Sequence, residues 1–384
     1  MTKFKSKLPK VETSIFTVMS QWANECNAIN LSQGFPNFKI DNQLKSFVKE
    51  GLEKEEVQYA PMAGRMDLRQ AISDKIFEQH QIKINPDNEI TITAGATQAI
   101  FTVFSAILNK GDEVILFDPA YDCYDPSIRL QGATPIHLEL KYPTYSIDWN
   151  KVKSNINQNT KIIVINNPHN PTGAVLTSAD LDELENIVIT HPQLFVLSDE
   201  VYEHIQFEGK HQTVLTRNVL LKRSFVTYSF GKTFHVTGWK LGYCIAPEVL
   251  TREFRKVHQF NVFCVNNTMQ YAVAKYMNET VSWREVMPFY KQKRDVFLQA
   301  MKNSKLKPLA CNGTYFCLFD YSEVSSEDDV DFAKRITKEY GVATIPVSVF
   351  YQNKTNHKVI RICFAKTEDL LLKAAKLLSS SSLV

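Results

Sequence analysis

The sequence predicts an α/β protein, with a large, mostly parallel β-sheet sandwiched by helices and a smaller α+β domain after it. Between residues 89 and 246, short apolar runs alternate with helix-like segments. Continuous apolar runs of this length are typical of strands buried on both faces, and strand–helix alternation is typical of a parallel sheet. From about residue 284 onward, helical patterns and strand-like runs come in mixed order, which indicates the second domain.

Each predicted element is bounded by turn or polar residues. The predicted strands of the large sheet are 90–93, 114–117, 162–165, 195–197 and 225–228. The spacing Leu181-x-x-Leu184-x-x-Ile187 indicates a helix between two of these strands. In the smaller domain we expect helices over 284–302, near 332–340 and after Thr367, and strands over 315–319 and 359–364. Gly341 is expected to end the second of these helices.

The composition is that of a folded protein, and it excludes several classes of function. Of the 384 residues, 44% are hydrophobic and 22% are charged, so the chain can bury a core. Lys and Arg number 44 against 41 for Asp and Glu, a balance that predicts no binding to nucleic acid or to a membrane surface. We find no apolar stretch of about 18 residues that could span a bilayer, and we expect no signal peptide, since the basic N-terminus lacks an apolar region.

The seven cysteines are scattered along the chain, and no two are spaced as C-x-x-C. This distribution argues against a zinc site and against a small disulfide scaffold, since both need cysteines at set intervals. We therefore expect reduced, mostly buried thiols, no bound metal and a cytoplasmic protein.

Small and polar residues follow the predicted strands of the large sheet, where α/β proteins collect their ligands. Ala96 and Thr97 open a helix after the first strand, and their backbone N–H groups suit an anion. The later strands are followed by Asn170, by Asp199 and Tyr202, and by Ser229, Lys232 and Lys240. The ligand of such a site would carry a phosphate, a group that seeks a carboxylate, and an electrophile that an amine can attack.

Two other phosphate-binding patterns fail on inspection. The run Gly231-Lys232-Thr233 looks like the end of a G-x-x-x-x-G-K-[ST] loop, but Val226 stands where that loop needs its first glycine. The dinucleotide pattern G-x-G-x-x-G is absent, because the segment 95–100 reads G-A-T-Q-A-I. Nucleotide hydrolysis and nicotinamide redox chemistry therefore lose their main support.

Seven stretches, in order and over nearly the whole chain, resemble the fold type I pyridoxal-phosphate aminotransferases. The similarity is greatest to bacterial methionine aminotransferases and to kynurenine/glutamine aminotransferases. The stretches are Asn30-Leu-Ser-Gln-Gly34-Phe-Pro, Gln58-Tyr59-Ala-Pro-Met-Ala-Gly64, Asp118-Pro-Ala-Tyr121-Asp-Cys-Tyr, Asn167-Pro-His-Asn170-Pro-Thr-Gly173, Ser198-Asp199-Glu-Val-Tyr202-Glu-His, Ser229-Phe-Gly-Lys232-Thr-Phe with Thr-Gly-Trp-Lys240, and Ile360-Arg361-Ile-Cys-Phe-Ala-Lys366.

The resemblance implies a fold type I transferase with pyridoxal 5′-phosphate as its cofactor. With it, the chain divides into an N-terminal arm over 1–38 that joins the small domain, a large cofactor-binding domain over 39–284, and a small C-terminal domain over 285–384. It also implies a homodimer, in which each subunit completes the active site of the other.

The resemblance gives catalytic roles to three residues. Lys232 would hold the cofactor as a Schiff base and, once displaced, would move the substrate's Cα proton. A depressed pKa would suit this lysine, because only a neutral amine is nucleophilic. Asp199 would pair with the pyridinium nitrogen and keep it protonated. Tyr202 and Asn170 would both reach the phenolic oxygen of the cofactor. The alternative role for Asn170 is that of a turn residue before Pro171.

By the same resemblance, the cofactor phosphate would be held by Ala96, Thr97, Ser229 and Lys240. Many relatives carry Arg at the position of Lys240, so the lysine marks the kynurenine/methionine subgroup. Tyr121 would stack on the cofactor ring, with a core aromatic as the alternative.

Arg361 is the candidate for the substrate α-carboxylate. It is embedded in an apolar strand, and an unpaired buried charge is costly, so an idle arginine is not expected there. A structural ion pair is the alternative. The backbone of Gly34 would approach the same carboxylate.

By the resemblance, three aromatic residues contact the cofactor phosphate of the partner subunit or line a substrate pocket. Tyr59 would reach the cofactor phosphate of the partner subunit. Phe16 aligns with an aromatic wall of the substrate pocket, and Phe263 lies in the matching segment from the partner; both are also ordinary core candidates. These residues favour apolar or aromatic amino acids: methionine first, then Phe, His, Gln and kynurenine. Cys264 replaces a histidine of some kynurenine enzymes, which weakens the case for kynurenine.

The sequence therefore predicts an aminotransferase that exchanges an amino group between an L-amino acid and a 2-oxo acid by a ping-pong reaction. A cysteine-conjugate β-lyase on the same scaffold is an open alternative, since both reactions share their first steps. A non-catalytic regulator of this fold is a further alternative. Such regulators usually add a DNA-binding region, and only about 30 residues precede the Gly34 motif here.

Overall fold

A computed structural model of the chain describes residues 5–9, 11–280 and 282–380. The outermost residues of the predicted N-terminal arm and C-terminal domain thus lie outside the described residues. Within them the strands are β1 Ile29–Asn30, β2 Ile90–Thr93, β3 Glu113–Asp118, β4 Thr134–Glu139, β5 Thr160–Asn166, β6 Phe195–Asp199, β7 Ser224–Ser229, β8 Gly242–Ile245, β9 Lys307–Pro308, β10 Phe316–Asp320, β11 Val342–Ala343, β12 Ile345–Pro346 and β13 Val359–Cys363. The helices are α1 Ile15–Glu25, α2 Asn42–Glu53, α3 Met66–His80, α4 Ala96–Ile107, α5 Tyr124–Leu130, α6 Trp149–Asn155, α7 Ser178–Thr190, α8 Asn218–Arg223, α9 Phe230–Thr233, α10 Glu248–Asn261, α11 Asn267–Glu279, α12 Val286–Ala300, α13 Asp329–Tyr340 and α14 Glu368–Leu378.

The large sheet has seven strands in the order β2-β8-β7-β6-β5-β3-β4. Strands β7, β6, β5, β3 and β4 run parallel to their neighbours, while β8 is antiparallel to both β2 and β7. This arrangement confirms the predicted mostly parallel sheet. It also brings the carboxyl ends of β5, β6 and β7 side by side at one edge.

Both faces of the large sheet are buried, as the continuous apolar runs predict. In β5, Ile162 and Val164 pack in one hydrophobic cluster and Ile163 and Ile165 in another, on the opposite face. The alternation follows from the strand geometry, because successive side chains point to opposite faces of a sheet. Polar side chains therefore have little room along these strands and emerge at the strand ends.

A second, antiparallel sheet of four strands, in the order β12-β13-β10-β9, forms after residue 300. Helix α13 ends at Gly341, which adopts φ +68°, as expected for the glycine after a helix. The N-terminal segment joins this part of the chain: β1 pairs with β11, and Met19 and Ala23 of α1 pack against Ala333 and Ile345. The boundaries of the three domains stay a prediction.

The sequence analysis did not predict β8, which begins with Gly242, a residue type that is depleted in strands. This strand nevertheless positions the site. Gly242 pairs with Thr93 on one side and with Ser229 on the other, so it joins the ends of β2 and β7. A Cβ at Gly242 would lie 2.4 Å from the Tyr228 carbonyl oxygen, and only glycine permits this approach.

The structure also bears on membrane-spanning helices, disulfides and metal sites. No helix among the described residues is long and apolar enough to cross a membrane. All seven cysteines are free, and Cys244, Cys311, Cys317 and Cys363 are buried. Across the described ranges, no group of three or more His, Cys, Asp or Glu residues is placed to hold a metal ion.

Candidate active site

A cavity of about 280 Å³ opens at the edge of the large sheet where β5, β6 and β7 end. It is lined by predicted site residues from motifs that lie far apart in the sequence. The predicted site residues that line it are Phe16, Gly34, Ala96, Thr97, Tyr121, Asn170, Asp199, Tyr202, Ser229, Lys232, Lys240 and Arg361. Two predicted residues, Tyr59 and Phe263, do not line it.

Lys232 lies on α9, the single helical turn that follows β7. Its Nζ donates to the Tyr315 hydroxyl at 2.8 Å and contacts the Gly34 carbonyl oxygen at 3.4 Å. Burial lowers the pKa of this amine to about 8, and the nearby charges of Arg361 and Lys240 act in the same direction. A substantial fraction of Lys232 is therefore neutral near pH 8 and can act as a nucleophile.

Asp199 is the last residue of β6 and is nearly inaccessible to solvent. One carboxylate oxygen, Oδ2, accepts a 2.6 Å hydrogen bond from the Tyr124 hydroxyl, while Oδ1 is buried and has no partner in the described chain. Burial raises the pKa of Asp199 to about 6, against the opposing effect of the hydrogen bond from Tyr124. A buried carboxylate oxygen without a partner is costly, so this one favours a ligand that brings a cationic N–H group.

The N-terminus of α4 forms the predicted anion cradle. Gly95 precedes the helix with φ +78°, and no side chain caps the helix. The backbone N–H groups of Ala96 and Thr97 are thus left for a ligand. A Cβ at Gly95 would lie 3.3 Å from Lys240 Nζ, so the loop, the lysine and Ser229 on β7 surround one small space.

Arg361 is the central residue of β13 and is only 1% exposed. Its Nη1 donates to Asn170 Oδ1 at 2.8 Å and its Nη2 to the Ser32 carbonyl oxygen at 3.0 Å. The guanidinium carbon lies 3.8 Å from the centre of the Phe316 ring, and Nε is buried without a partner. Among the described residues no carboxylate forms an ion pair with Arg361, so the structural ion pair considered above is wrong for this part of the chain.

The walls of the cavity around Arg361 are aromatic. Phe16 on α1 lies 5.2 Å from the guanidinium carbon and packs against Phe350. Gln33 fixes this wall, because its Nε2 donates to the Phe16 carbonyl oxygen at 2.7 Å. The N-terminal segment thus shapes one side of the cavity.

Tyr59 and Phe263 lie on the surface instead. Tyr59 is 82% exposed and Phe263 is 46% exposed, and their rings contact each other edge-to-face at 5.3 Å. Within one chain neither residue lines the cavity, and their expected role in the partner's site stays a prediction. Phe263 is not a core residue, which removes the structural alternative for it.

Several residues of the site were not singled out from the sequence, and four of them contact predicted site residues closely. Tyr124 donates to Asp199, and Tyr315 contacts Lys232. Phe316 stacks on Arg361, and Asn166 accepts from the Asn170 backbone N–H at 2.7 Å. Tyr124 lies inside a stretch already matched to the family, and Asn166 directly precedes one. Tyr315 and Phe316 lie at the start of a predicted strand whose apolar pattern gives no sign of such contacts.

The cavity fits pyridoxal 5′-phosphate on three independent features. The unpartnered Asp199 oxygen suits a protonated pyridine nitrogen, the uncapped start of α4 suits a phosphate, and the pKa of Lys232 suits attack on an aldehyde. All three line one cavity, so a single small molecule could contact them together.

Comparisons with known proteins agree with this geometry. Residues 27–378 match the family model for aminotransferase class I and II. The chain is 44% identical to a methionine aminotransferase of Escherichia coli over 97% of its own length and 96% of the relative's, and 33% identical to a kynurenine–oxoglutarate transaminase of Dictyostelium discoideum over 94% and 92%. Among solved structures, YbdL from Escherichia coli matches with a TM-score of 0.96 at 44% identity, covering 98% of this chain and 99% of that one. The N-succinyldiaminopimelate aminotransferase of Mycobacterium tuberculosis matches with a TM-score of 0.94 at 28% identity over the full length of both chains.

Proposed function

The chain belongs to the class I and II aminotransferases, enzymes that depend on pyridoxal phosphate, and we propose that its amino donor is an apolar or aromatic L-amino acid, with methionine favoured. The amino group passes to a 2-oxo acid in a second half-reaction. The observation that supports the donor is a buried arginine set among aromatic rings, in the cavity that also holds Lys232 and Asp199. When bound, the cofactor supplies an electron sink for the pair left by loss of the Cα proton.

We assign the cofactor contacts from the cavity geometry. Asp199 would hold the proton on the pyridine nitrogen with its unpartnered oxygen, and Tyr124 orients that carboxylate by its hydrogen bond. Lys232 would form the covalent bond to the cofactor and, once displaced, would accept the substrate's Cα proton. Tyr202, Asn170 and Tyr121 line the cavity. Tyr202 and Asn170 would donate to the phenolic oxygen, and Tyr121 would stack on the ring.

The phosphate subsite combines backbone and side-chain donors. Ala96 and Thr97 offer N–H groups at the start of α4, where the helix dipole favours an anion. Ser229 adds a hydroxyl and Lys240 a positive charge. A lysine supplies a point charge rather than the paired donors of an arginine, so the backbone donors carry the geometric selectivity here.

Arg361 is the residue that holds the substrate carboxylate. Two of its donors are already fixed by Asn170 and Ser32, and these contacts orient the guanidinium before the substrate arrives. The unpartnered Nε–H and the second N–H of each Nη remain to donate to a carboxylate. Gly34 borders the same space, and a Cβ there would lie 2.7 Å from the Phe316 ring, so only glycine leaves room.

The side chain of the substrate would lie against Phe16, Phe316 and Phe35. Among the described residues, the basic ones that line the cavity are Lys232, Lys240 and Arg361, and each already has a proposed role. None is left for a second carboxylate, so dicarboxylic amino acids are poor donors. Apolar pockets discriminate by only about 1–3 kcal/mol per methylene, so phenylalanine, histidine, glutamine and kynurenine are expected as weaker substrates.

We propose that the enzyme is a cytoplasmic homodimer. The exposed aromatic pair of Tyr59 and Phe263, with Phe260 at 87% exposure, forms an apolar patch that a second copy would cover. Tyr59 would then contact the phosphate in the partner's site, and Phe263 would complete the partner's substrate pocket. The patch is the observation that supports this arrangement.

A β-lyase reaction on cysteine conjugates is a second candidate activity of the same site. It begins with the same loss of the Cα proton and differs in the loss of a group from Cβ. Neither the aromatic walls nor Lys232 oppose it. The non-catalytic regulator has lost its support, since the chain belongs to a family of enzymes and lines its cavity with Lys232 and Asp199.

The substrate proposal predicts that methionine and phenylalanine exceed aspartate and glutamate in kcat/KM by at least about tenfold. The reason is the aromatic pocket without a spare cation. Steady-state assays with a panel of amino acids and one 2-oxo acid measure this, and pyruvate and ammonia release from β-chloro-L-alanine measures the lyase reaction. Lys232→Ala should abolish both activities, while Lys256→Ala, an exposed lysine on α10, should leave both unchanged. A preference for aspartate would contradict the proposal.

For the carboxylate subsite we predict that Arg361→Lys raises KM for methionine by about 10- to 100-fold and changes kcat less. The loss is that of two oriented, charge-assisted hydrogen bonds. The matched control is Arg294→Lys, which alters another buried arginine that donates to the Cys311 carbonyl oxygen, away from the cavity. Equal effects of the two variants would count against the assigned role.

The shared site of the dimer is tested by mixing two inactive variants. Tyr59→Ala should weaken cofactor retention, and Lys232→Ala should be inactive. A mixed dimer contains one complete site, so co-refolding equal amounts should restore about one quarter of wild-type activity at limiting cofactor. Ultracentrifugation of each sample checks that dimers form. No recovery in dimeric samples would show that Tyr59 does not act across the interface.

A further inference from the structure

We propose that the Tyr315 hydroxyl and the Gly34 carbonyl oxygen form a holding site for the unlinked amine of Lys232, which makes Tyr315 a positioning residue of the reaction. The three groups lie together: Lys232 Nζ is 2.8 Å from the Tyr315 hydroxyl and 3.4 Å from the Gly34 oxygen, and the hydroxyl is 2.5 Å from that oxygen. The inference rests on the proposed role of Lys232. It adds the groups that hold this lysine whenever it is not bonded to the cofactor.

The proton inventory of these groups fixes the direction of each hydrogen bond. Burial raises the pKa of Tyr315, so the hydroxyl keeps its single proton. The carbonyl oxygen of Gly34 can only accept, so the hydroxyl proton points at it. The lone pairs of the hydroxyl then face Lys232, which must be the donor. A neutral Lys232 amine thereby donates one N–H to the Tyr315 hydroxyl at 2.8 Å, and the Gly34 oxygen at 3.4 Å is a longer, second acceptor on the same side of the amine.

Both acceptors lie on one side of the amine, so its lone pair can turn toward the cavity that Lys232 lines. The lone pair can accept the substrate's Cα proton while the electron pair of the broken C–H bond stays on carbon. The resulting ammonium keeps its hydrogen bond to Tyr315. Its third proton is the one just received, and it faces the cavity ready to be returned.

Tyr315 is held rigidly enough to act as a fixed acceptor. It is fully buried, and its ring packs against Tyr202 at 5.2 Å and against Phe316 at 4.8 Å. Its carbonyl oxygen accepts from the Phe364 backbone N–H at 3.0 Å. The preceding residue, Thr314, adopts φ +63° and donates its backbone N–H to the Ile205 carbonyl oxygen at 2.8 Å. A threonine rarely adopts this conformation, and here the surrounding contacts hold it.

Gly34 contributes a carbonyl that no larger residue could place there. A Cβ added at Gly34 would lie 2.7 Å from the Phe316 ring, so only glycine lets the backbone pass this close to the ring. The neighbouring backbone is fixed by Lys366, whose Nζ donates to the Phe35 carbonyl oxygen at 2.7 Å. The loop that borders the carboxylate subsite therefore also orients the amine, and this couples substrate binding to the position of Lys232.

The variant that tests the inference is Tyr315→Phe, which removes the hydroxyl and keeps the ring. The matched control is Tyr290→Phe: its ring packs 5.5 Å from that of Tyr315, but its hydroxyl contacts His235. The first readout uses protein freed of cofactor, to which pyridoxal phosphate is added while the visible band is followed. The second is the single-turnover half-reaction with L-methionine and with 2-deutero-L-methionine.

Tyr315→Phe should slow cofactor capture and the half-reaction by about tenfold or more, because the amine loses one oriented hydrogen bond. The deuterium isotope effect should rise, since proton transfer becomes more fully rate-limiting, while the Kd for methionine stays near that of the wild type. A purely structural role would instead change the Kd and the melting temperature. Wild-type capture rates and isotope effects in Tyr315→Phe, with Tyr290→Phe also normal, would overturn the inference.

A second measurement avoids any loss of folding in that variant. With 3-fluorotyrosine placed at position 315, the ¹⁹F resonance of the cofactor-free protein should shift on Lys232→Met and stay unchanged on Lys256→Met. No shift on Lys232→Met would overturn the inference. Failure of the underlying function is distinguishable, because it would show as turnover that survives Lys232→Ala.

Discussion

The burial of both faces of the large sheet is the constraint on which the active site depends. Along β5, β6 and β7 alternate side chains enter two separate hydrophobic clusters, so functional groups have no place along the strands. They emerge where the strands end, as Asn166, Asp199 and Ser229 do. Parallel pairing puts these ends at one edge, and the short antiparallel β8 ties that edge to the start of α4.

The same burial sets the chemistry of the site. Removal from water destabilises charged groups, which lowers the pKa of Lys232 to about 8 and raises that of Asp199 to about 6. Lys232, Asp199 and Arg361 all line the cavity, and Asp199 Oδ1 and Arg361 Nε are buried there without a partner. A hydrogen bond holds each group in place: Lys232 bonds to Tyr315, Asp199 to Tyr124, and Arg361 to Asn170. Orientation thus comes from residues that need not touch the substrate.

The sequence could predict the fold class and most of the cavity lining, because both depend on local patterns. Apolar runs identify buried strands, and the residues after each run identify the edge of the sheet. It could not predict contacts that depend on three-dimensional packing. Tyr315 follows a residue with positive φ and meets Lys232, 83 positions away, and Phe316 meets Arg361 across an antiparallel pair. Tyr59 is predicted from resemblance to act in another subunit, and one chain shows only that its ring is exposed.

The central claim is that Lys232 carries the cofactor and that an apolar amino acid completes a half-reaction with it. The most direct test is the absorption spectrum of the purified protein, recorded before and after L-methionine is added without any 2-oxo acid. We expect a visible band that methionine removes in a single turnover and that a 2-oxo acid restores. Absence of a visible band after incubation with pyridoxal phosphate would contradict the assignment of Lys232. A band that methionine leaves unchanged but another amino acid removes would contradict the substrate alone.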